Sequence, residues 1–118
     1  MNSRRERGEA AERRARRHLE DNGLRCVETN YRCRWGEIDL VMRERDTLVF
    51  VEVRYRNSDR FGGAMASVDS TKRQRLCRAA SDYLARVRGS TPATRFDVVA
   101  LGPGDRIEWI NDAFDGDG

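Results

Sequence analysis

The chain has 118 residues, a length that corresponds to one domain and can bury a core without disulfides or a structural metal. Its three cysteines, Cys26, Cys33 and Cys77, are odd in number and show no C-x-x-C spacing, which favours reduced thiols over a disulfide framework or a zinc site. No apolar run approaches the roughly 20 residues of a membrane helix, and the charged N-terminal residues are unlike a secretory signal. We therefore expect a cytoplasmic protein that does not contact a membrane.

The basic residues are almost all arginine, since Lys72 is the only lysine among 23 basic residues and the formal net charge is +3. A planar guanidinium can donate two hydrogen bonds to a phosphate, which favours contact with nucleic acid. A charge of this size is only mildly basic, however, and genomic base composition can also enrich arginine. Charge alone therefore leaves both interpretations open.

Two helices are predicted, over residues 5–22 and 70–88. In the first, Ala11, Ala15 and Leu19 recur at a helical spacing that marks a buried face, and Gly23 follows as a stop signal. In the second, Ser70 is the predicted N-cap, and Gly89 the predicted end. Its apolar face consists of Leu76, Ala80, Tyr83, Leu84 and Val87.

Five strands are predicted from alternating, β-branched and aromatic segments, over residues 24–34, 37–43, 48–55, 96–101 and 106–110. With the helices, the order of elements is αβββαββ. This order predicts an α/β fold in which helices flank a mixed central sheet of about five strands. We expect a single domain over residues 1–114, followed by a frayed acidic tail over 115–118.

The second and third strands are predicted to form a hairpin that turns at Arg45 and Asp46. One register gives a wholly apolar face, made of the pairs Leu40–Val51, Ile38–Val53 and Met42–Val49. The other face then pairs Val41 with Phe50, Asp39 with Glu52 and Glu37 with Arg54. A slip by one residue would bury charge, so this register is strongly preferred.

The register places the carboxylates of Asp39 and Glu52 side by side, where like charges destabilise a sheet unless something compensates. A divalent cation such as Mg²⁺, which takes carboxylate oxygens, would do so. The alternative is an exposed sheet face on which arginines such as Arg54 satisfy the acids. Glu12 lies on the buried stripe of the first helix, where it either completes an acidic cluster or pairs only with Arg16.

The sequence closely resembles the YraN-like family of small bacterial proteins, from about Gly8 to Phe114. The strings Gly36-Glu37-Ile38-Asp39-Leu40 and Phe50-Val51-Glu52-Val53-Arg54 carry most of this resemblance. Gly8, Glu12 and Ala15 on the first helix, the Phe61-Gly62-Gly63-Ala64 loop, Lys72, the Arg95-Phe96-Asp97-Val98-Val99 strand and the segment from Trp109 to Phe114 complete it.

That family is similar to the restriction-endonuclease-like superfamily, and especially to archaeal Holliday-junction resolvases. The resemblance implies a restriction-endonuclease-like fold and an Asp…Glu-x-Lys site that binds Mg²⁺ or Mn²⁺ and hydrolyses phosphodiester bonds. It implies that Asp39, Glu52 and Glu12 are metal ligands, and that these three residues and Arg54 are catalytic. Arg54 stands at the lysine position, and an arginine side chain cannot act as a base. Lys72 either supplies an amine from the second helix or is a surface lysine.

Nucleic acid, DNA rather than RNA, is the expected partner, and a homodimer is left open. The predicted nucleic-acid contacts are Arg56, Arg60, Lys72 and Trp35, although Trp35 and Tyr55 are also suited to covering the sheet. His18 is expected to pack rather than to act as a base. Three functions are consistent with the sequence: a metal-dependent DNA endonuclease, a non-catalytic nucleic-acid-binding module, and a protein-interaction adaptor.

Overall fold

Two helices and five strands make up the described part of the computed structural model, which is residues 4–55, 69–87 and 93–114. Their bounds are α1 Arg4–Asp21, β1 Arg25–Cys33, β2 Gly36–Glu44, β3 Thr47–Tyr55, α2 Ser70–Arg86, β4 Ala93–Leu101 and β5 Ile107–Phe114. The predicted element order αβββαββ and the mixed α/β class are confirmed. The predicted tail over 115–118 lies outside the described residues.

The five strands form one sheet in the order β1-β2-β3-β4-β5. The β3–β4 pair is parallel and the other three pairs are antiparallel. Each face of the sheet carries one helix: Ala15 and Leu19 of α1 pack on one face, and Leu76 and Tyr83 of α2 pack on the other. The sheet is therefore buried on both sides, which explains its long apolar strands.

Both helices bury the faces that their spacing predicts, but α2 begins differently. The N-cap is Asp69, whose carboxylate accepts a hydrogen bond from the Lys72 backbone N–H at 2.8 Å, so the prediction of Ser70 as N-cap is wrong. A carboxylate also interacts favourably with the positive end of the helix dipole. The helix ends at Arg86, and the predicted stop, Gly89, lies outside the described residues.

The predicted hairpin register is confirmed over its closed part, where Leu40 pairs with Val51, Val41 with Phe50 and Met42 with Val49. The ladder ends at Leu40 and Val51, so the pairs predicted beyond it, Ile38–Val53, Asp39–Glu52 and Glu37–Arg54, are not ladder pairs. The prediction that Ile38 shares a face with Leu40 is also wrong. Ile38 packs with Tyr31 in the core beneath α2, while Leu40 packs beneath α1.

A buried carboxylate joins β4 to β5. Asp97 is 1% exposed and accepts two hydrogen bonds from Arg95, at 3.0 and 3.2 Å. It accepts two more, from Trp109 Nε1 and from the Asp112 backbone N–H, each at 2.9 Å. Because Asp97 holds the backbone at Asp112, β5 continues to Phe114, beyond the predicted end at Ile110.

The cysteines and the two helices bear on the expected redox and membrane setting. Cys26, Cys33 and Cys77 are half-buried, and none of the three forms a disulfide. Within residues 4–55, 69–87 and 93–114, neither helix has the length and apolar character needed to cross a membrane.

Candidate metal centre

Asp39 lies where β2 and β3 separate, just beyond the last ladder pair. Its Oδ2 accepts a hydrogen bond from the Val53 backbone N–H at 2.8 Å, so a side chain takes the place of a ladder carbonyl. The same carboxyl group is hydrogen-bonded to the side chain of Glu52. The structure thus brings together the two acids that the register argument places side by side, through side chains rather than through a ladder pair.

Glu12 reaches this point from α1. The side chain of Asn30, a residue that stands in the left-handed region with φ 53°, lies close enough to this carboxylate to lower its pKa. The alternative in which Glu12 pairs only with Arg16 is wrong, because Arg16 pairs with Glu20 at 3.2 Å. Oxygen atoms of Glu12, Glu37 and Asp39 all lie within 4.8 Å of one another. Helix α1 and strand β2 therefore converge on one carboxylate cluster.

Sequence reasoning missed Glu37 as a member of this cluster. Its position two residues before Asp39 was a usable signal, because residues i and i+2 of a strand point to the same face. The hairpin pattern instead favoured a pairing between Glu37 and Arg54. In the structure the Glu37 carboxylate accepts a hydrogen bond from Arg32 Nε at 2.9 Å, and it remains close enough to Glu12 and Asp39 to share a ligand.

Glu52 is 4% exposed, and its charge is balanced by Lys72 from α2. Lys72 Nζ lies 3.1 Å from Glu52 Oε2. This is an ion pair and not a hydrogen bond, since Oε2 is buried without a hydrogen-bond partner among the described residues. The only lysine of the chain thus lies at the edge of the carboxylate cluster.

Crowding of acids at this site has an electrostatic consequence. Burial, the hydrogen bond that protonated Asp39 donates to Glu52, and the charges of Glu52 and Glu12 raise the pKa of Asp39 from 3.8 to about 9. Burial also raises the pKa of Glu12, and the Asn30 side chain partly offsets this. Without a cation the cluster retains a proton at neutral pH. The oxygen-only ligand set and the retained proton both fit a hard divalent cation such as Mg²⁺ or Mn²⁺.

Replacing Asp39 by asparagine is expected to stabilise the metal-free protein. The raised pKa of Asp39 contributes stability that is fully present below pH 3.8 and is lost as the pH rises through about 9. Asparagine can keep the Val53 contact and adds no charge. Urea unfolding in EDTA at pH 8 should therefore show a gain on the order of 1–3 kcal/mol. Between pH 6 and pH 9, the wild-type free energy of unfolding should fall more steeply than that of the variant. Equal slopes for both proteins would contradict the raised pKa.

The remaining candidates are dispersed around the cluster. Arg54 is half-buried on β3, aligned with Ala100 of β4. Trp35 is 36% exposed and Tyr55 is 44% exposed. The packing expected of His18 is confirmed by an edge-to-face contact with Trp109, at 6.0 Å between ring centroids. The predicted nucleic-acid contacts Arg56 and Arg60 lie outside the described residues.

Comparisons with a family model and with similar proteins indicate the same family. The uncharacterised protein family UPF0102, which is the YraN family, matches residues 11–101. A UPF0102 protein of Ralstonia nicotianae is 58% identical over 111 residues, covering 91% of this chain and 85% of its own length. A UPF0102 protein of Nitrosomonas europaea is 53% identical over 118 residues, covering 98% of both chains. One of Cupriavidus taiwanensis is 56% identical over 116 residues, covering 98% of this chain and 87% of its own.

Proposed function

The chain belongs to the uncharacterised protein family UPF0102, and we propose that it is a metal-dependent endonuclease that hydrolyses phosphodiester bonds in DNA, with structured or branched DNA among its substrates. The observation that carries the proposal is the convergence of Glu12, Glu37 and Asp39 within 4.8 Å, beside the ion pair between buried Glu52 and half-buried Lys72. The resemblance to resolvase-type nucleases supports the same chemistry.

The carboxylates of Glu12, Glu37, Asp39 and Glu52 would hold Mg²⁺ or Mn²⁺. A bound divalent cation neutralises a phosphate and lowers the pKa of a bound water for in-line attack. The protein's own contribution is to hold the acidic side chains in place where the hydrogen-bonded ladder between β2 and β3 has ended. The Val53 N–H fixes the Asp39 carboxylate, so this carboxylate is oriented before substrate arrives.

Lys72 is the side chain best placed for the amine function of such a site. The resemblance puts Arg54 at the lysine position of the Glu-x-Lys motif, and a guanidinium can stabilise charge but cannot accept a proton. Lys72 Nζ, 3.1 Å from Glu52, brings an ammonium to the same carboxylate from α2. We assign it the role of stabilising the negative charge that develops on the phosphate.

The test is a cleavage assay on labelled linear duplex, single-stranded and four-way-junction DNA, each with EDTA and with Mn²⁺. Wild-type protein should cut only with metal. Glu52→Gln should reduce cleavage to background, because it removes a buried negative charge from the cluster. Glu28→Gln, an exposed acid of β1, is the matched control and should cut normally. The proposal fails if no DNA is cut with Mn²⁺, or if Glu52→Gln cuts as well as the control.

A non-catalytic nucleic-acid-binding protein is the second candidate, favoured by arginine in place of the motif lysine at position 54. It predicts binding to DNA or RNA that weakens steeply as salt rises, since phosphate contacts release counterions. Salt-sensitive binding without cleavage in any metal would favour this candidate over the nuclease.

A further inference from the structure

A second surface lies beside the carboxylate cluster, at the turn between β1 and β2. Trp35 occupies this turn and is 36% exposed. Two guanidinium groups lie against its ring: Arg34 Cζ is 4.4 Å and Arg78 Cζ is 5.2 Å from the ring centroid. An exposed tryptophan flanked by two arginines combines a flat stacking surface with positive charge.

The ring borders an open groove of about 580 Å³, which is lined by Trp35, Cys77, Arg78, Ser81 and Asp82. This volume is within the range of small-molecule sites, roughly 300–1,000 Å³. Asp82 is held in place by a hydrogen bond from the Tyr31 hydroxyl and by Arg86, whose Nε lies 3.3 Å from Oδ2. The groove therefore presents an aromatic face, guanidinium donors and a fixed carboxylate acceptor, which together match a base and its phosphate.

Three arginines at this surface form no ion pair with any carboxylate that the structure describes. Arg34, Arg75 and Arg78 are exposed, and within the described part of the chain they form no ion pair. Arg86 and Arg95, by contrast, are engaged by carboxylates. Exposed cations without counter-ions are suited to phosphate oxygens.

Helix α2 connects this surface to the carboxylate cluster. Lys72 contacts Glu52, and one turn later Arg75 lies beside Gly36, where an added Cβ would stand 3.8 Å from Arg75 Cβ. A further turn along, Arg78 reaches Trp35. Lys72 and Arg78 are six residues apart, which is about 9 Å along the axis at 1.5 Å per residue. At the 3.4 Å rise of one DNA strand, that distance is about two or three nucleotides.

We propose that the Arg34–Trp35–Arg78 surface is a subsite for an unpaired nucleotide, whose base stacks on Trp35 and whose phosphates contact the arginines. A base inside a duplex is covered on both faces by its neighbours and cannot stack on a protein ring unless it is extruded. In the proposed nuclease, on which this part of the inference rests, the subsite selects DNA that has single-stranded nucleotides next to the bond that is cut. Binding of a nucleotide at the subsite does not itself require cleavage.

The experiment measures binding in EDTA, so that it does not depend on catalysis. Fluorescence anisotropy gives the Kd for labelled single-stranded DNA, single-stranded RNA of the same sequence and blunt duplex DNA. Wild-type protein should bind single strands more tightly than duplex. Trp35→Ala should weaken single-strand binding roughly 5- to 100-fold and leave duplex binding unchanged, while Trp35→Phe retains most of the affinity. Val27→Ala, another exposed apolar residue, should bind as wild type does. Arg78→Gln should weaken the binding of both single-stranded and duplex DNA, and the Kd should then depend less steeply on salt concentration.

The outcomes separate this proposal from the proposed nuclease. If Trp35→Ala loses affinity for single strands only, and the protein never cuts DNA, the subsite is supported and the proposed nuclease activity is wrong. If the protein cuts DNA but Trp35→Ala binds single strands as wild type does, the nuclease stands and the subsite is wrong. Absence of single-strand binding at low salt also overturns the subsite and favours a protein partner for this surface. The DNA and RNA arms show which strand chemistry it accepts.

Discussion

Replacing Lys72 by methionine is expected to lower the single-turnover rate of Mn²⁺-dependent DNA cleavage by roughly 10²–10³-fold. The ammonium of Lys72 is the cationic group that the described structure brings to within 3.1 Å of Glu52, at the edge of the carboxylate cluster. Its removal takes away positive charge where negative charge develops on the phosphate. Affinity for Mn²⁺ should be kept or increased, because a cation no longer competes beside Glu52.

Lys72→Arg distinguishes two contributions of this side chain, its positive charge and proton transfer, because arginine keeps only the charge. It should recover part of the rate if charge is the main contribution, and none if the amine must exchange a proton. Arg16→Met, which removes an exposed cation of α1, is the matched control and should cut at the wild-type rate. A Lys72→Met protein that cuts DNA as fast as this control would exclude Lys72 from the site.

Asp97→Ala should cause the largest loss of stability of any substitution considered, about 3–5 kcal/mol in urea unfolding. Asp97 accepts four hydrogen bonds while almost fully buried, and its removal leaves the Arg95 guanidinium, the Trp109 N–H and the Asp112 N–H without this acceptor. Several part-buried donors lose their acceptor together, and the Arg95 guanidinium keeps only its ion pair with Glu44, so the cost exceeds that of one lost contact.

Asp97→Asn keeps the volume but removes the charge and one acceptor oxygen, so its loss should be intermediate. Asp105→Ala, in the exposed turn before β5, is the control and should change the free energy of unfolding by less than about 0.5 kcal/mol. If Asp97→Ala unfolds at the same urea concentration as this control, then the buried network does not stabilise the fold.

The hairpin shows how far local pattern determines structure. Apolar residues on β2 and β3 admit one register, and the ladder from Leu40–Val51 to the turn follows it. The same pattern could not predict where the ladder ends. That depends on Asp39, whose carboxylate takes the Val53 N–H and forces the alternation at Ile38 to change.

Sequence reasoning could place the site residues that lie on the same hairpin, but it was less able to place those that come from elements distant in the chain. The hairpin brings Asp39 and Glu52 together, although through their side chains and not as the predicted ladder pair, and Glu12 stands out in the sequence as an acid on an apolar stripe. Lys72 could not be placed, because its position depends on how α2 packs across the sheet. Asn30 carries a weaker signal: asparagine tolerates the left-handed conformation that turns it toward Glu12, but many exposed asparagines do so without a site.

The end of the fold illustrates a long-range effect of the same kind. The pattern of β5 stops at Ile110, after which Asn111 and Asp112 resemble a turn. The strand nevertheless continues, because the Asp112 N–H is held by Asp97 from β4. Asp97 lies in a motif of the family resemblance, and the contacts give it a structural rather than a catalytic role.

Direct Mn²⁺ binding tests most closely the central claim, that the carboxylates at the β2–β3 separation hold a divalent cation. Titration calorimetry at pH 8 should show Mn²⁺ binding to the wild-type protein with release of a proton, since the pKa of Asp39 is about 9 without metal. Asp39→Asn, although expected to be more stable, should lose this binding, whereas Glu28→Gln should keep it. No Mn²⁺ binding by the wild-type protein, or equal binding by Asp39→Asn, would contradict the account.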